Sequence, residues 1–382
     1  MKKIIKKIVF YAVVVSAFAL FSGCNDKEEI PPPYRQPTWS KDFYPGAQWS
    51  MATPEKYGYK ANTCDTLDAY LNITNNTVTG LVVIVGGEMI YSWGTINETS
   101  YLASTRKSIL SMLYGKYVTN GTINLDKTIG ELIADGVIPD DVGGLLPIEK
   151  QATIRNCISA RSGCYHQGSN DGDDYAVAPE RGSKQPGEYY LYNNWDFNVS
   201  GSIFEGLTGK NIYDALGEDL AIPIGMEDWN RSKQVKGGST SISRYQAYHF
   251  YLSARDMARL GYLMLRGGKW NDTQLIPPAW YTESLRIHTP VSEMNPVYRR
   301  TQAFGYSYMW WIWDGPANRD AFRGAYIAQG AGGQYIAVLP ALDMVVAQKR
   351  DANILTTTYG GSSFWQFLRI LTSQQVEPNY LN

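Results

Sequence analysis

Two hairpin patterns at opposite ends of the sequence constrain the fold more than any other feature. In residues 80–94, two short runs of β-branched and aromatic residues flank a Gly-Gly pair. Residues 333–348 repeat the pattern around a proline-containing turn. Between them, stretches such as 194–209 and 253–267 have helical periodicity. We therefore predict an α+β fold, with an antiparallel sheet built from both chain ends, flanking helices and an inserted, mainly helical region.

Shorter patterns predict individual elements. A helix that starts after residue 152 is expected to stop near Ser162-Gly163. Ser253 and Asp256 are spaced for a reciprocal capping box. The aromatic run 304–313 is typical of one strand, whereas residues 171–187 are polar and aperiodic, which predicts a surface loop over or beside a cleft.

The N-terminal residues are typical of a targeting signal. Lysines precede an apolar run at 8–21, which ends in small residues and Cys24. The run is shorter than the roughly 20 apolar residues that a membrane-spanning helix needs. We predict a signal peptide at 1–23, a bacterial-type lipid anchor on Cys24 and a spacer at 24–45, which would place the protein in the cell envelope outside the cytoplasm. Simple secretion and an uncleaved anchor are the alternatives.

Composition argues against several classes of function. Lys and Arg number 35 against 36 Asp and Glu, so no long-range field favours nucleic acid as a partner. The three histidines lack metal-ligand spacing and no P-loop is present, so neither a metal nor an organic cofactor is implied. No G-x-S-x-G elbow appears, which argues against a histidine-dependent α/β-hydrolase. Cys157 and Cys164 could pair in an oxidising compartment, or both could be free and buried.

A possible nucleophile stands at the start of a helix. The pattern of residues 101–121 predicts a helix whose first turn carries Ser104 and Lys107 on one face. Ser104 is either a helix cap or a nucleophile with its base one turn away. An ordinary lysine, with a pKa of about 10.4, cannot accept a proton at neutral pH. Burial at a helix N-terminus disfavours its charge and lowers that pKa, which would allow Lys107 to act as a base.

Two later segments favour the nucleophile. Tyr192 and Asn194 come just before a helix, and a phenol near a cation ionises more readily and can relay a proton to a leaving group. Gly330, Gly332 and Gly333 stand at the start of a strand. Glycines there let the backbone approach a ligand closely, and exposed N–H groups can hold an oxyanion.

Taken in order, Ser104-x-x-Lys107, Tyr192-Asn193-Asn194 and the glycine-rich strand resemble the serine β-lactamase and penicillin-binding-protein superfamily. The sequence is most similar to its class C-like branch of β-lactamase-related esterases, D-peptidases and 6-aminohexanoate-dimer hydrolases. The order of the three motifs is specific, although each motif alone is not.

The resemblance begins at about residue 57 and runs to the C-terminus. It implies a β-lactamase-like domain at 46–382, composed of an α/β part at 46–120 and 290–382 and a helical insertion at 121–289.

The resemblance also implies a role for each motif residue. Ser104 would attack a carbonyl and form an acyl-enzyme, while Lys107 and Tyr192 would handle the proton as a coupled pair. Asn194 would hold Lys107 or the substrate. The N–H groups of Ser104 and Ala331 would form the oxyanion hole. The predicted contacts to substrate on the final strands are Gly330, Ala331 and Gly332.

The third motif departs from the family pattern. This sequence has Ala328-Gln329-Gly330 where the superfamily's β-lactamases usually have Lys-Thr-Gly. The cation that would attract a β-lactam carboxylate is missing, and Lys349 and Arg350, at the far end of the hairpin, are poor substitutes. We therefore expect a hydrolase of small amides, D-amino-acid peptides or esters rather than an efficient β-lactamase. The alternatives are a slowly deacylating penicillin-binding or D-Ala-D-Ala peptidase-like protein and a non-catalytic binding lipoprotein.

Overall fold

A seven-stranded antiparallel sheet draws its strands from both ends of the chain. The structure, a computed structural model, describes residues 43–72, 76–316, 320–351 and 361–376. The predicted signal peptide, Cys24 and nearly all of the predicted spacer lie outside the described residues. Side by side, the strands are β2 (Glu88–Gly94), β1 (Val78–Val85), β13 (Met344–Arg350), β12 (Gln334–Leu339), β11 (Tyr326–Gly330), β10 (Trp311–Trp313) and β9 (Phe304–Tyr306).

Three two-stranded ribbons lie outside this sheet. They pair β3 (Ser100–Tyr101) with β6 (Tyr251–Leu252), β4 (Val235–Gly237) with β5 (Ala247–His249), and β7 (Lys269–Trp270) with β8 (Thr273–Gln274).

Nine α-helices lie within the described residues. They are α1 (Thr63–Leu71), α2 (Thr105–Thr119), α3 (Ile129–Ala134), α4 (Ile154–Ile158), α5 (Asn194–Thr208), α6 (Ile212–Leu216), α7 (Ala254–Leu265), α8 (Pro278–Ser284) and α9 (Gly361–Thr372). Helices α2 to α8 fall in sequence between the strands from the two chain ends. The predicted α+β fold, with a mainly helical region inserted between the two parts of the sheet, is therefore confirmed.

Helices cover both faces of the sheet. Consecutive strand residues point to opposite faces. On β12, Tyr335 stacks on Phe364 of α9 with ring centroids 4.3 Å apart, whereas Ile336 packs so closely on α7 that a Cβ on Gly261 would lie 2.7 Å from it. Helices α9 and α7 therefore lie on opposite faces. The interior strand β1 is buried accordingly, because its residues 81–85 are all 0% exposed.

Three local expectations were wrong in detail. The aromatic run at 304–313 forms two strands, because the chain turns between them and Met309 adopts φ 62°. Helix α4 ends at Ile158, since Ala160 has φ 56°, which no helix accommodates. Only half of the predicted capping box forms. Ser253 accepts from the Asp256 N–H, but the Asp256 carboxylate accepts from backbone N–H groups at 227 and 228 instead.

Candidate active site

The first turn of α2 carries Ser104. This residue occupies the N-cap position, but its side chain makes no capping hydrogen bond. Its Oγ instead lies 2.7 Å from Nζ of Lys107, one turn along the helix. The preceding Ala103 has φ 48°, a left-handed conformation that costs a non-glycine residue on the order of 1–3 kcal/mol and that clusters at active sites. The geometry thus excludes the capping role that the sequence left open.

The amine of Lys107 connects three predicted site residues. Its Nζ lies 2.7 Å from Oγ of Ser104, 2.7 Å from the hydroxyl of Tyr192 and 2.7 Å from Oδ1 of Asn194. Lys107 is 1% exposed, and burial lowers its pKa well below that of an ordinary lysine, with a further lowering from the guanidinium of Arg106. Lys107 is therefore biased toward the neutral amine, the form that accepts a proton.

Tyr192 lies on the other side of this amine, two residues before α5. Burial raises the pKa of its phenol to about 12, although the Ser104 hydroxyl and the Arg106 guanidinium act in the opposite direction. The ring is held by Phe197, whose centroid is 4.9 Å away. A neutral phenol beside a neutral amine leaves the amine as the stronger base of the two at neutral pH.

Asn194 is fixed by the polar loop that precedes it. Its Oδ1 accepts from Lys107, and its Nδ2 donates to the carbonyl oxygen of Asp171 at 2.8 Å. Its backbone N–H donates to the Asp173 carboxylate at 2.6 Å. Burial raises the pKa of Asp173, while the Asn194 and Tyr175 N–H groups and Lys107 oppose that rise. The predicted loop at 171–187 therefore lies directly beside the site and orients one of its side chains.

The glycine-rich hairpin reaches the same helix turn. A Cβ on Gly330 would lie 2.4 Å from the carbonyl oxygen of Leu102, so only glycine fits between β11 and the start of α2. The turn that follows is open to solvent, with Ala331 exposed and Gly332 partly exposed at φ 74°. The predicted oxyanion donors, the N–H groups of Ser104 and Ala331, are thus carried by two backbone segments in direct contact.

The third-motif position holds no cation. Ala328 is completely buried on β11. Lys349 donates to the carbonyl oxygens of Ser100 and Leu252, and Arg350 donates to the hydroxyl of Thr77. Both residues lie on β13 and not at the third-motif position on β11, so neither stands where the missing lysine would be.

A cation that the sequence did not reveal lies against the site tyrosine. The guanidinium carbon of Arg299 is 5.3 Å from the ring centroid of Tyr192 and 5.3 Å from that of Trp311. Its Nε donates to the carboxylate of Asp174, which also accepts from the hydroxyl of Tyr298 at 2.6 Å. Within the described part of the chain, neither Nη nitrogen of Arg299 has a protein acceptor. No motif marks Arg299 or Asp174, and only the polarity of the 171–187 loop pointed to this region.

Other features of the described ranges bear on function. They contain no cluster of three or more His, Cys, Asp or Glu side chains arranged to hold a metal ion. None of their helices combines the length and apolarity needed to cross a bilayer. Cys64, Cys157 and Cys164 are free thiols in the structure.

Comparison with known proteins identifies relatives of this chain and structures that share its fold. An uncharacterised protein of Alkalihalophilus pseudofirmus is 21% identical over 252 residues, which span 60% of this chain and 65% of that protein. A Bacillus anthracis protein provisionally described as a 6-aminohexanoate-dimer hydrolase superposes with a TM-score of 0.64 at 18% identity, covering 90% of this chain and 91% of its own.

Two other solved structures share the fold. EstCE1, described as a hydrolase with promiscuous acyltransferase activity, has a TM-score of 0.58 at 13% identity, over 80% of this chain and 97% of its own. SurE in complex with D-Leu has a TM-score of 0.56 at 19% identity, over 82% of this chain and 75% of its own. The sequence profile of the Beta-lactamase family matches residues 75–348, which is most of the chain. The protein therefore belongs to the Beta-lactamase family, a family of serine hydrolases that share this fold.

Proposed function

We propose that the protein is a serine hydrolase that cleaves an amide or ester bond through an acyl-enzyme on Ser104. The observation that carries this proposal is the position of Lys107 Nζ, 2.7 Å from both the Ser104 Oγ and the Tyr192 hydroxyl. A serine with a neutral amine in contact and a phenol behind it has the groups that nucleophilic acyl transfer requires.

The donors and the lone pair of a neutral Lys107 amine determine the path that the proton takes. Such an amine has two N–H donors and one lone pair. Oδ1 of Asn194 can only accept, so it takes one N–H of Lys107. The lone pair then accepts from the Ser104 hydroxyl, and the second N–H donates to the Tyr192 oxygen. The phenolic proton of Tyr192 remains available to a leaving group.

Acylation follows from this arrangement. Ser104 Oγ attacks the substrate carbonyl carbon while its proton moves to Lys107. The N–H groups of Ser104 and Ala331 stabilise the oxyanion that forms. As the bond to the leaving group breaks, the leaving amine or alkoxide takes the phenolic proton of Tyr192, which Lys107 replaces. Water then attacks the acyl ester by the reverse proton path and restores Ser104.

The absence of a cation in the third motif argues against efficient hydrolysis of β-lactams. Ala328 offers no charge for a β-lactam carboxylate, so acylation by a penicillin should be slow relative to that by a neutral ester. EstCE1, which shares the fold, is described as a hydrolase with promiscuous acyltransferase activity, and acyl transfer is the chemistry proposed here for Ser104.

A second candidate, cleavage of peptides that end in a D-amino acid with a free carboxylate, is favoured by Arg299. Its two Nη nitrogens form the edge of a guanidinium that binds a carboxylate bidentately, and they lie beside the residue that would protonate the leaving group. Its Nε is held by Asp174, which fixes the orientation of that edge. SurE, which shares the fold, has been crystallised with D-Leu.

The decisive experiment uses a soluble form that begins after Cys24. Wild type and Ser104→Ala are mixed with p-nitrophenyl acetate, a penicillin and a D-amino-acid dipeptide, and each mixture is followed by absorbance or chromatography and by intact mass. Ester or peptide turnover that disappears in the variant supports the proposal. A long-lived penicillin adduct on wild type alone would instead indicate a penicillin-binding protein. Absence of adduct and of turnover with every substrate would favour the non-catalytic binding lipoprotein.

Lipid anchoring at Cys24 is proposed on the sequence pattern alone. Replacing Cys24 with serine should move the full-length protein from the membrane fraction to the soluble fraction of the envelope and remove the mass of the lipid. A variant that stays membrane-bound would support an uncleaved anchor instead.

A further inference from the structure

Arg106 stands inside the Ser104-x-x-Lys107 motif and is buried without an acidic partner. It is 1% exposed. Buried arginines are normally paired, because an isolated charge is expensive to remove from water. Among the residues that the structure describes, however, no carboxylate forms an ion pair with Arg106.

The contacts that Arg106 does make are all to uncharged groups. Its Nη2 donates to Oδ1 of Asn198 at 2.8 Å, and its guanidinium carbon lies 4.4 Å from the ring centroid of Tyr248. Its Nη1 is buried and has no partner in the described part of the chain. An amide oxygen and an aromatic face solvate a guanidinium but do not cancel its charge, so the positive field persists in a region of low dielectric.

The groups that act on Lys107 come from five segments. One of them is β5, where burial and the charges of Arg106 and Lys107 lower the pKa of His249 to about 4, which keeps its imidazole neutral at neutral pH. Arg106 is the neighbour of Lys107 on α2, the Tyr192 hydroxyl and Asn194 Oδ1 come from the start of α5, and Asp173 and Arg299 approach from two loops. Arg299 is paired with Asp174, which screens its charge. Asp173 has the opposite effect on Lys107, and its own pKa is raised by burial. Arg106 is therefore the cation whose field acts on Lys107 without a compensating carboxylate.

The effect of this field has a definite sign. A nearby positive charge disfavours the protonated amine and so lowers its pKa. Among the charged neighbours of Lys107, Arg106 contributes most to the lowering of the Lys107 pKa, after burial itself. The same charge favours the ionised phenol of Tyr192, which helps that residue to release its proton.

We propose that Arg106 is a positioning residue that keeps Lys107 in its neutral, proton-accepting form by holding an uncompensated positive charge beside it. The arrangement places a cation beside the proposed base from within the first motif itself. The inference rests on the proposed function, in which Lys107 is the base for Ser104.

The test removes the charge of Arg106 by two independent routes in the full-length protein. R106Q replaces the guanidinium with a neutral amide, and N198D keeps the guanidinium but places a carboxylate against it. The measurement is kcat/KM for a p-nitrophenyl ester from pH 5 to pH 10. In both variants the acidic limb of the profile should shift to higher pH by about one unit. At pH values below the limb kcat/KM should fall about tenfold, and at pH values above it kcat/KM should change little.

Two matched variants distinguish charge from packing. R106K retains a cation and should keep the limb near its wild-type position. R299Q removes a cation that Asp174 already screens and should shift the limb by less than R106Q does. A limb that stays at the wild-type pH in N198D, or that moves as far in R106K as in R106Q, would overturn the proposal. This holds even if R106Q does not fold, because N198D and R106K test the same charge.

A second measurement separates this inference from the proposed function. NMR of protein labelled with ¹³C at the lysine ε carbon, with the Lys107 signal assigned from K107R, gives the Lys107 titration without any turnover. An upward shift of that titration in N198D supports the role of Arg106 even if Ser104→Ala shows that the chosen ester is not a substrate. An unchanged titration contradicts it whatever the activity.

Discussion

The hydroxyl of Thr105 donates a hydrogen bond of 3.0 Å to the carbonyl oxygen of Gln334, 229 residues away. This bond fastens the glycine hairpin to the turn that carries Ser104. Beside it, a Cβ on Gly330 would lie 2.4 Å from the backbone oxygen of Leu102, which cannot rotate away. Gly330→Ala should therefore displace the hairpin and cost roughly 100-fold or more in kcat, as loss of one oxyanion donor does.

The control for Gly330→Ala is Gly46→Ala, because a Cβ at that glycine meets nothing within 4 Å. Ester hydrolysis and thermal unfolding should be measured for both. An active Gly330→Ala variant would mean that the hairpin N–H does not contribute to catalysis.

Lys107→Ala should abolish most of the acylation rate. The variant loses the proposed proton acceptor of Ser104, and the expected fall in kcat/KM is roughly 100-fold or more. Lys116→Ala is the matched control, since Lys116 lies on the same helix and its exposed side chain pairs with Asp219. Single-turnover acylation, followed by intact mass, separates this step from deacylation. Equal rates in the two variants would remove Lys107 from the mechanism.

Tyr192→Phe keeps the buried ring and removes only the hydroxyl that contacts Lys107. We expect a loss of roughly 100-fold in kcat, larger for amides than for activated esters, because a p-nitrophenolate leaves without a proton. Tyr190→Phe is the comparison, because its buried hydroxyl has no hydrogen-bond partner among the described residues. If both substrates slowed equally in Tyr192→Phe, protonation of the leaving group would not be the role of this phenol.

Arg299→Gln tests recognition of a substrate carboxylate. For a peptide with a free C-terminal carboxylate, KM should rise roughly tenfold or more, since a hydrogen bond to a charged group contributes about 1.5–3 kcal/mol. The same peptide with an amidated C-terminus should be affected far less. Arg300→Gln serves as the control, because Arg300 donates to the Met294 carbonyl oxygen and not to Asp174. Identical changes for both peptides would exclude carboxylate binding by Arg299.

Lys349 makes the stability of the fold depend on pH. Burial lowers its pKa from 10.5 to about 7. Between these two pH values the unfolded chain holds a proton that the folded chain lacks, so the free energy of unfolding rises with pH. The slope from this group is at most about 1.4 kcal/mol per pH unit. The free energy of unfolding in urea should be measured from pH 6 to pH 10 for wild type and for Lys349→Met. The difference between the two curves gives the contribution of Lys349. A flat difference would mean that Lys349 is charged in the folded state.

Much of the fold was predictable because its signals are local. The hairpins at 80–94 and 333–348 and the helices around α5 and α7 depend on turn residues and short-range periodicity. The break in the aromatic run was not predictable. It depends on the left-handed conformation of Met309, and residues 306–313 contain no glycine or asparagine that would indicate such a conformation there. The Met309 N–H donates to the carbonyl oxygen of Ile158, a contact that only the tertiary structure brings about.

The candidate site divides in the same way. Ser104, Lys107, Tyr192 and Asn194 belong to short motifs, and the structure places their polar atoms in contact; their chemical roles stay predictions. The carboxylate that holds the Asn194 backbone comes from an aperiodic loop, and Arg299 comes from a segment with no pattern at all. Only the tertiary fold brings these residues to the site, so their spacing along the sequence does not predict their position.

The fastening of the final hairpin to the Ser104 turn has a practical consequence for anyone handling this protein. The proposed nucleophile and the proposed oxyanion donor Ala331 are more than 200 residues apart, and they are brought together by a sheet that combines strands from both parts of the chain. A reagent that acylates Ser104 would therefore label only molecules whose sheet is closed. The labelled fraction of a sample would then measure the share of fully folded molecules, whereas absorbance measures the total amount of protein.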